Sequence, residues 1–264
     1  MIPIALTIAG SDSGGGAGIQ ADLKTFQAFG VFGTSALTAI TVQNTLGVFG
    51  VHLIPLEIVR AQIEAVASDL PPAAFKTGML GSAALVETVA EAITENSLTS
   101  YVLDPVMVAT SGDRLLAADA EARLRELLVP LARLVTPNLD EAAILVGEPV
   151  RDLAEMRRAA ELLVAAGAGA ALVKGGHLRG DELVDVFFDG SEWREWSRPR
   201  IDSTSTHGTG CTLSAAVAAG LAHGRPLLEA VDAALDFVHR AILEAPGLGH
   251  GHGPLNHLVG ARHS

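Results

Sequence analysis

AGSDSGGGAGIQADLKTF, residues 9–26, follows the apolar run IALTIAG and carries glycine at positions 10, 14, 15, 16 and 18. A buried strand that runs into glycines and then into a helical pattern is the opening unit of an α/β sandwich. Ile19, Leu23, Phe26 and Phe29 recur at helical spacing directly behind the loop. Whether this loop holds phosphate decides which end of the chain meets a nucleotide. Two tests speak against it. The loop lacks the GxxxxGK[ST] spacing, and Gly14-x-Gly16-x-Gly18 departs from GxGxxG. Asp12 and Asp22 also put negative charge where phosphates would be repelled. Close backbone approach to a neutral polar ligand, with Asp22 as hydrogen-bond acceptor, fits better. A purely structural glycine turn stays open.

Beyond this unit, short apolar runs alternate with amphipathic ones. TSALTAITVQ, VFGVHLIP, AAFKTGM, YVLDPVM, ARLVTPN and ALVKGG read as strands. Helical patterns cover 56–67, 83–95, 120–128, 153–166, 209–222 and 227–244. LVDVFFDGSEWREW reads as a hairpin with Asp189-Gly190 in its turn. The alternation predicts a mostly parallel sheet with helices on both faces, folded as one domain over 1–264.

Composition agrees with that class. Of 264 residues, 49% are apolar and 4% aromatic, a balance that lets helices lie close on a sheet. The net charge of -12 argues against a nucleic-acid surface or an anionic membrane as partner. Nucleotides are not excluded, because backbone N–H groups and metal ions supply positive charge locally. The single cysteine permits no intramolecular disulfide, and a reducing, cytoplasmic location is the simplest reading. MIPIALTIAG has no positive n-region, and no apolar run reaches the roughly 18 residues of a membrane span.

A second glycine turn stands near the other end, in STHGTGCTLSAAVAAG, residues 205–220. His207-Gly208-Thr209-Gly210-Cys211 enters a helix of small residues, whose unpaired N–H groups and dipole suit an anion. On the GTG motif alone, an ordinary tight turn into a buried helix is the better reading. Cys211 falls in the first helical turn, where the dipole is expected to lower its pKa and fit it to act as a base. A small buried hydrophobe is the commoner role of a lone cysteine. In TPNLDEAAIL, Asn138 reads as an N-cap with Glu141 at N3, and the pair could also hold Mg²⁺ through water. Lys174 ends the strand of LVKGGH among glycines, which suits a phosphate contact. Asp104 of LDPVMVATSG lies at a strand's C-terminal end, where α/β sheets place ligands. Thr110-Ser111-Gly112 reads as a mobile flap. His177, His207 and the C-terminal histidines show no zinc-like spacing.

These segments, in this order and over residues 4–257, resemble the hydroxymethylpyrimidine/phosphomethylpyrimidine kinases of thiamin biosynthesis. The resemblance implies a ribokinase-like three-layer α/β sandwich, a stand-alone kinase and a homodimer. It also implies MgATP, with 4-amino-5-hydroxymethyl-2-methylpyrimidine phosphorylated first and its monophosphate second. Carried over by motif, Gln43 of TVQN hydrogen-bonds the ring, Gly10, Asp22 and Met79 line the pocket, and Val106 packs on the ring. Gly208, Thr209, Gly210 and Cys211 form the anion hole, with Cys211 as base. Asn138, Glu141, Lys174 and His207 belong to the ATP side, and Asp104 and Glu141 to the metal. One departure stands out. Relatives carry a basic residue shortly before this turn, where the chain has Asp202-Ser203-Thr204-Ser205-Thr206, so charge compensation for an anionic substrate would fall to Arg198 or Arg200. Three alternatives remain. A pyridoxine or pyridoxal kinase of the same fold could form a hemithioacetal at Cys211. A ribokinase-type sugar kinase would normally have Asp at that position. A regulator would keep the pyrimidine pocket without turnover.

Overall fold

The structure is a computed structural model that describes residues 2–107, 118–176 and 182–260. Its sheet starts from β1 (Ile4–Ser11), whose middle six residues are all buried. Eight further strands extend the sheet: β2 (Phe32–Asn44), β3 (Gly47–Leu53), β4 (Ala74–Thr77), β5 (Tyr101–Leu103), β6 (Leu134–Val135), β7 (Ala171–Val173), β8 (Glu182–Phe188) and β9 (Trp193–Pro199). They lie in the order β3-β2-β1-β4-β5-β6-β7-β8-β9. Pairing is parallel from β2 through to β7, while β3, β8 and β9 add antiparallel edges.

The helices are α1 (Gly18–Ala28), α2 (Leu56–Asp69), α3 (Ala83–Glu95), α4 (Ala118–Arg123), α5 (Leu139–Val146), α6 (Leu153–Ala165), α7 (Thr209–Ala222) and α8 (Leu227–Leu243). The strand pleat sends neighbouring residues to opposite faces. Leu6, Phe75, Leu103 and Val135 join one core with residues of α2, α3, α5 and α6. Ala5, Ala74, Val102 and Leu134 join the other with α1, α7 and α8. Because both faces are covered, the inner strands are apolar without alternation. α7 is buried on every side of its last eleven residues, which explains its run of alanines. A Cβ at Gly220 would stand 2.8 Å from Ala230 Cβ, so α8 approaches as closely as the backbone permits.

Some expected boundaries shift. The helix expected over 120–128 divides into α4, a wider π turn at Leu124–Leu128 and a 3-10 turn at Val129–Leu131. Pro130, which has no N–H to give a helix, sits in the last of these. YVLDPVM is a strand only over Tyr101–Leu103, and ARLVTPN only over Leu134–Val135. The β8–β9 turn has four residues, Asp189 to Glu192, and the Asp189 carboxylate accepts the N–H groups of Ser191 and Glu192. Thr110-Ser111-Gly112 and His177 lie outside the described residues.

Parallel strands share a direction, so the C-terminal ends of β1, β4, β5, β6 and β7 meet along one edge. There they deliver Gly10, Met79, Asp104, Asn138 and Lys174 to a common place.

Candidate active site

That edge opens into a cavity of about 650 Å³. At one end it is walled by the residues after β1 and by Thr41 and Gln43 of β2; at the other by Asn138, Glu141, Lys174, Asp185, Arg198 and Arg200. The turn from Thr206 to Cys211 lies along it.

The glycine loop after β1 is organised around its own aspartate. Asp12, 2% exposed, accepts Gly14 N–H at 2.8 Å on one oxygen. Its other oxygen takes Gly16 N–H at 3.0 Å and Ala17 N–H at 2.8 Å. Burial raises the Asp12 carboxyl, but the bonds from His207 and the loop outweigh it and hold its pKa below the ordinary value. Loop N–H groups that could have cradled a phosphate are thus turned inward. Ser13 joins the loop to β2, its hydroxyl donating to Gln43 C=O at 2.8 Å and accepting Gln43 N–H at 2.9 Å.

The start of α7 is organised differently. Gly208 is its N-cap, with φ +83° and no side chain to occupy the first-turn N–H groups. A Cβ at Gly208 would run into the carbonyl oxygen of Gly16, so the two glycine turns pack backbone on backbone. A Cβ at Gly210 would stand 3.3 Å from Lys174 Nζ and 3.7 Å from Asp104 Oδ1. The helix N-terminus therefore lies close to a cation and a carboxylate, with no side chain at Gly210 between them.

Between these ends runs a buried series of alternating charges. Asp22 lies 3.2 Å from Lys76 Nζ, and Lys76 Nζ lies 3.8 Å from Asp104 Oδ2. Asp104 Oδ1 is 3.7 Å from Lys174 Nζ, which is 3.8 Å from Glu141 Oε2. Ser214 Oγ donates to Asp104 Oδ2 at 3.1 Å. Burial would lower both lysines, yet Asp22 and Asp104 for Lys76, and Glu141 and Asp104 for Lys174, raise them, so both keep their protons. Burial pushes the Asp22 carboxyl upward against Lys76 and Thr7. Burial also lifts Glu141 to about 7, against the pull of Lys174. Lys76 carried no signal in the sequence, where AAFKTGM reads as an ordinary short strand. Only packing shows that its ammonium is wholly buried.

The expected site residues converge with two exceptions. Gly10, Gln43, Met79, Asp104, Val106, Asn138, Glu141, Lys174 and the 207–211 turn all line the cavity. Asp22 does not. Its carboxylate accepts Thr7 Oγ1 at 2.6 Å and Lys76 behind the wall, so any effect on a ligand passes through those neighbours. His207, expected on the ATP side, lies instead at the glycine loop, with Nε2 2.8 Å from Asp12 Oδ2 and 3.4 Å from the Gln43 amide. The expected lowering of the Cys211 pKa is also corrected. Burial lifts the thiol to about 12, and Lys76 and the Gly18 N–H only partly offset burial, Asp104 and Asp22. Arg198, 3.8 Å from Asp185, and Arg200, which donates to Gly176 C=O at 3.0 Å, belong to the Lys174 end.

The capping box expected at Asn138 is complete. Asn138 Oδ1 accepts Glu141 N–H at 2.9 Å, and Glu141 Oε2 accepts Asn138 N–H at 2.8 Å. Among the described residues no three His, Cys, Asp or Glu side chains gather to hold a metal by themselves. Two carboxylates flanking Lys174 fit an ion such as Mg²⁺ that keeps most of its waters and takes phosphate oxygens as further ligands. No helix among the described residues is long and apolar enough to cross a membrane.

Comparison with known proteins accords with this geometry. The family described as phosphomethylpyrimidine kinase matches residues 12–256. The hydroxymethylpyrimidine/phosphomethylpyrimidine kinase of Rhizobium meliloti (strain 1021) is 55% identical over 98% of this chain and 98% of its own. The thiamine biosynthesis bifunctional protein ThiED of Geobacter sulfurreducens is 50% identical over 97% of this chain, which spans 52% of that protein. Among solved structures, the ADP complex of Bacillus subtilis pyridoxal kinase superposes with a TM-score of 0.91 at 42% identity, covering 97% of this chain and 98% of its own. The three-layer sandwich is the ribokinase-like fold that the resemblance implied.

Proposed function

The chain belongs to the phosphomethylpyrimidine kinase family and phosphorylates the pyrimidine precursor of thiamin, and we propose that it does so with MgATP and the following division of labour. Gln43 reads the aminopyrimidine, against walls made by Gly10, Met79 and Val106. Asp22 acts from behind the wall, through Lys76. The N–H groups of Gly208 to Cys211 hold the phosphoryl group in transfer, where a helix N-terminus stabilises the charge that develops. Lys174, Asn138 and Glu141 take the nucleotide phosphates, with Asp104 and Glu141 holding Mg²⁺ through water. Mg²⁺, when bound there, would supply positive charge against the nucleotide phosphates. Cys211 accepts the hydroxyl proton only as its thiolate, a form that burial disfavours and the buried Lys76 cation partly restores.

One observation carries this reading: a single cavity joins the Gln43 loop, the uncapped start of α7 and the Lys174–Glu141 pair. Phosphoryl transfer needs little beyond positioning and charge neutralisation, and these three features supply both. The charge needed for the second, anionic substrate comes from this helix start and Lys174, since Arg198 and Arg200 stand at the nucleotide end. The whole chain acts as one domain, paired with a second copy. The free thiol fits a reducing cytoplasm.

Product analysis by mass spectrometry tests the reading. Incubation with MgATP and the hydroxymethylpyrimidine is expected to yield monophosphate and then diphosphate, with ADP. Binding without ADP would mark a non-catalytic protein. The likeness to a pyridoxal kinase supports a second substrate, pyridoxal, whose aldehyde carbon could bond to the Cys211 sulfur as the thiol proton passes to its oxygen. Phosphorylation of pyridoxal with none of the pyrimidine would favour that reading instead.

A further inference from the structure

A glutamine amide can sit in two orientations a half-turn apart, and its hydrogen-bond partners decide between them. Two partners flank Gln43. Its amide oxygen is set 3.1 Å from Thr41 Oγ1, and its nitrogen 3.4 Å from His207 Nε2. Thr41 has one hydroxyl proton, and the Ser11 carbonyl oxygen takes it at 2.8 Å. What Thr41 has left to offer is a lone pair. On the other side, His207 Nε2 is 2.8 Å from Asp12 Oδ2. An ionised carboxylate only accepts, so Nε2 bears the proton and has no lone pair for an amide N–H. Both neighbours therefore call for the same half-turn.

We propose that Thr41 and His207 are positioning residues that turn the Gln43 amide with its NH₂ toward Thr41 and its oxygen toward His207, and so fix the direction in which an aminopyrimidine binds. The inference rests on the kinase reading above and deepens it. A 4-aminopyrimidine presents an amino donor beside a ring-nitrogen acceptor, the pattern a carboxamide matches with two bonds. With the amide so turned, the amino group lies at the His207 end and the ring nitrogen at the Thr41 end. The carbon bearing the hydroxymethyl group adjoins the carbon bearing the amino group. The reacting hydroxyl is thereby sent toward His207, which Gly208 to Cys211 follow directly in the chain. An amide turned the other way would send it away from the helix start. The polarity is built in before any ligand arrives. Asp12 is pinned by three loop N–H groups, and Ser11 belongs to β1, which pairs with β2.

The test compares kcat/KM for the aminopyrimidine with that for its 4-oxo analogue, in which ring N–H and exocyclic oxygen exchange donor and acceptor. Thr41→Val keeps the side chain's shape but neither donates nor accepts. It is expected to lower the amino-over-oxo preference by about tenfold, the worth of one hydrogen bond, with KM for ATP unchanged. Thr41→Ser, which restores the hydroxyl, is expected to restore the preference. His207→Phe is expected to lower it in the same direction, judged in protein whose melting temperature matches the wild type. A preference unmoved by Thr41→Val overturns the inference while the kinase reading stands. A wild-type enzyme that phosphorylates neither compound removes both.

Discussion

Glu141 shows how one residue can serve the fold and the site at once. Its carboxylate caps α5 and faces Lys174, yet burial lifts its pKa from the usual 4.5 to about 7. A folded-state pKa above the unfolded one means that the folded protein takes up a proton. The associated stability is fully present below pH 4.5 and is lost as pH rises through about 7. Glu141→Gln keeps the N3 hydrogen bond of the capping box and removes the titration. The variant is expected to lose less melting temperature than the wild type between pH 5 and pH 8, read by calorimetry. Parallel curves for the two proteins would exclude Glu141 as the titrating group. A sequence motif announced the cap. It could not announce the shift, which comes first from burial, with Lys174 opposing it and Asp104 adding to it, all three set by segments distant in the chain. Asp12 and His207 make the same point, since the bond between them spans 195 positions.

At the scale of elements, what is local was legible. α7 occupies the span that its small apolar residues mark, and Asn138 and Glu141 start α5 as their spacing requires. Strand ends were less so, because the strands stop at Leu103 and Val135 while the buried Asp104 and Thr136 that follow still read as part of the same runs. What no local pattern contains is the meeting of the two glycine turns. Gly208 has φ +83°, and its missing Cβ leaves room for the Gly16 carbonyl. Gly208→Ala therefore suffers twice, from a left-handed backbone and from a clash that neither turn can relieve by moving a side chain. The turns must separate, and the start of α7 moves away from the pyrimidine loop. The expected result is a kcat at least about tenfold lower, with ATP affinity nearly intact, because Lys174 and Glu141 lie on other elements. Gly224→Ala, at a positive φ with open space around it, serves as the control for backbone strain alone. Equal losses in the two variants would show that contact between the turns does not matter.

For the whole molecule, the sheet is finished differently at its two edges. At one edge β8 and β9 carry charged side chains, with Arg194 over Trp196 and Glu195 paired with Arg157. At the other, the β2–β3 ribbon exposes Ile40, Val42, Phe49, Val51 and Leu53, with Phe49 66% exposed. β3 is the outermost strand, so the sheet ends there beside those apolar side chains. A charged chain with so many apolar side chains bare on one ribbon is suited to burying them against a second copy. The same ribbon brings Thr41 and Gln43 to the cavity, with Ile40 and Val42 alternating onto the opposite face, while Val51, paired with Thr41, and Leu53, paired with Ala39, lie on the cavity side. Association would then stiffen the element that reads the pyrimidine. Phe49→Lys is expected to shift the mass measured by light scattering from dimer to monomer. It should also raise KM for the pyrimidine several-fold, leaving KM for ATP unchanged because Lys174, Asn138 and Glu141 stand at the opposite end of the cavity. A wild-type protein that is monomeric at micromolar concentration would refute the pairing. A dimer untouched by Phe49→Lys would move the interface off this ribbon and leave its apolar surface to another role.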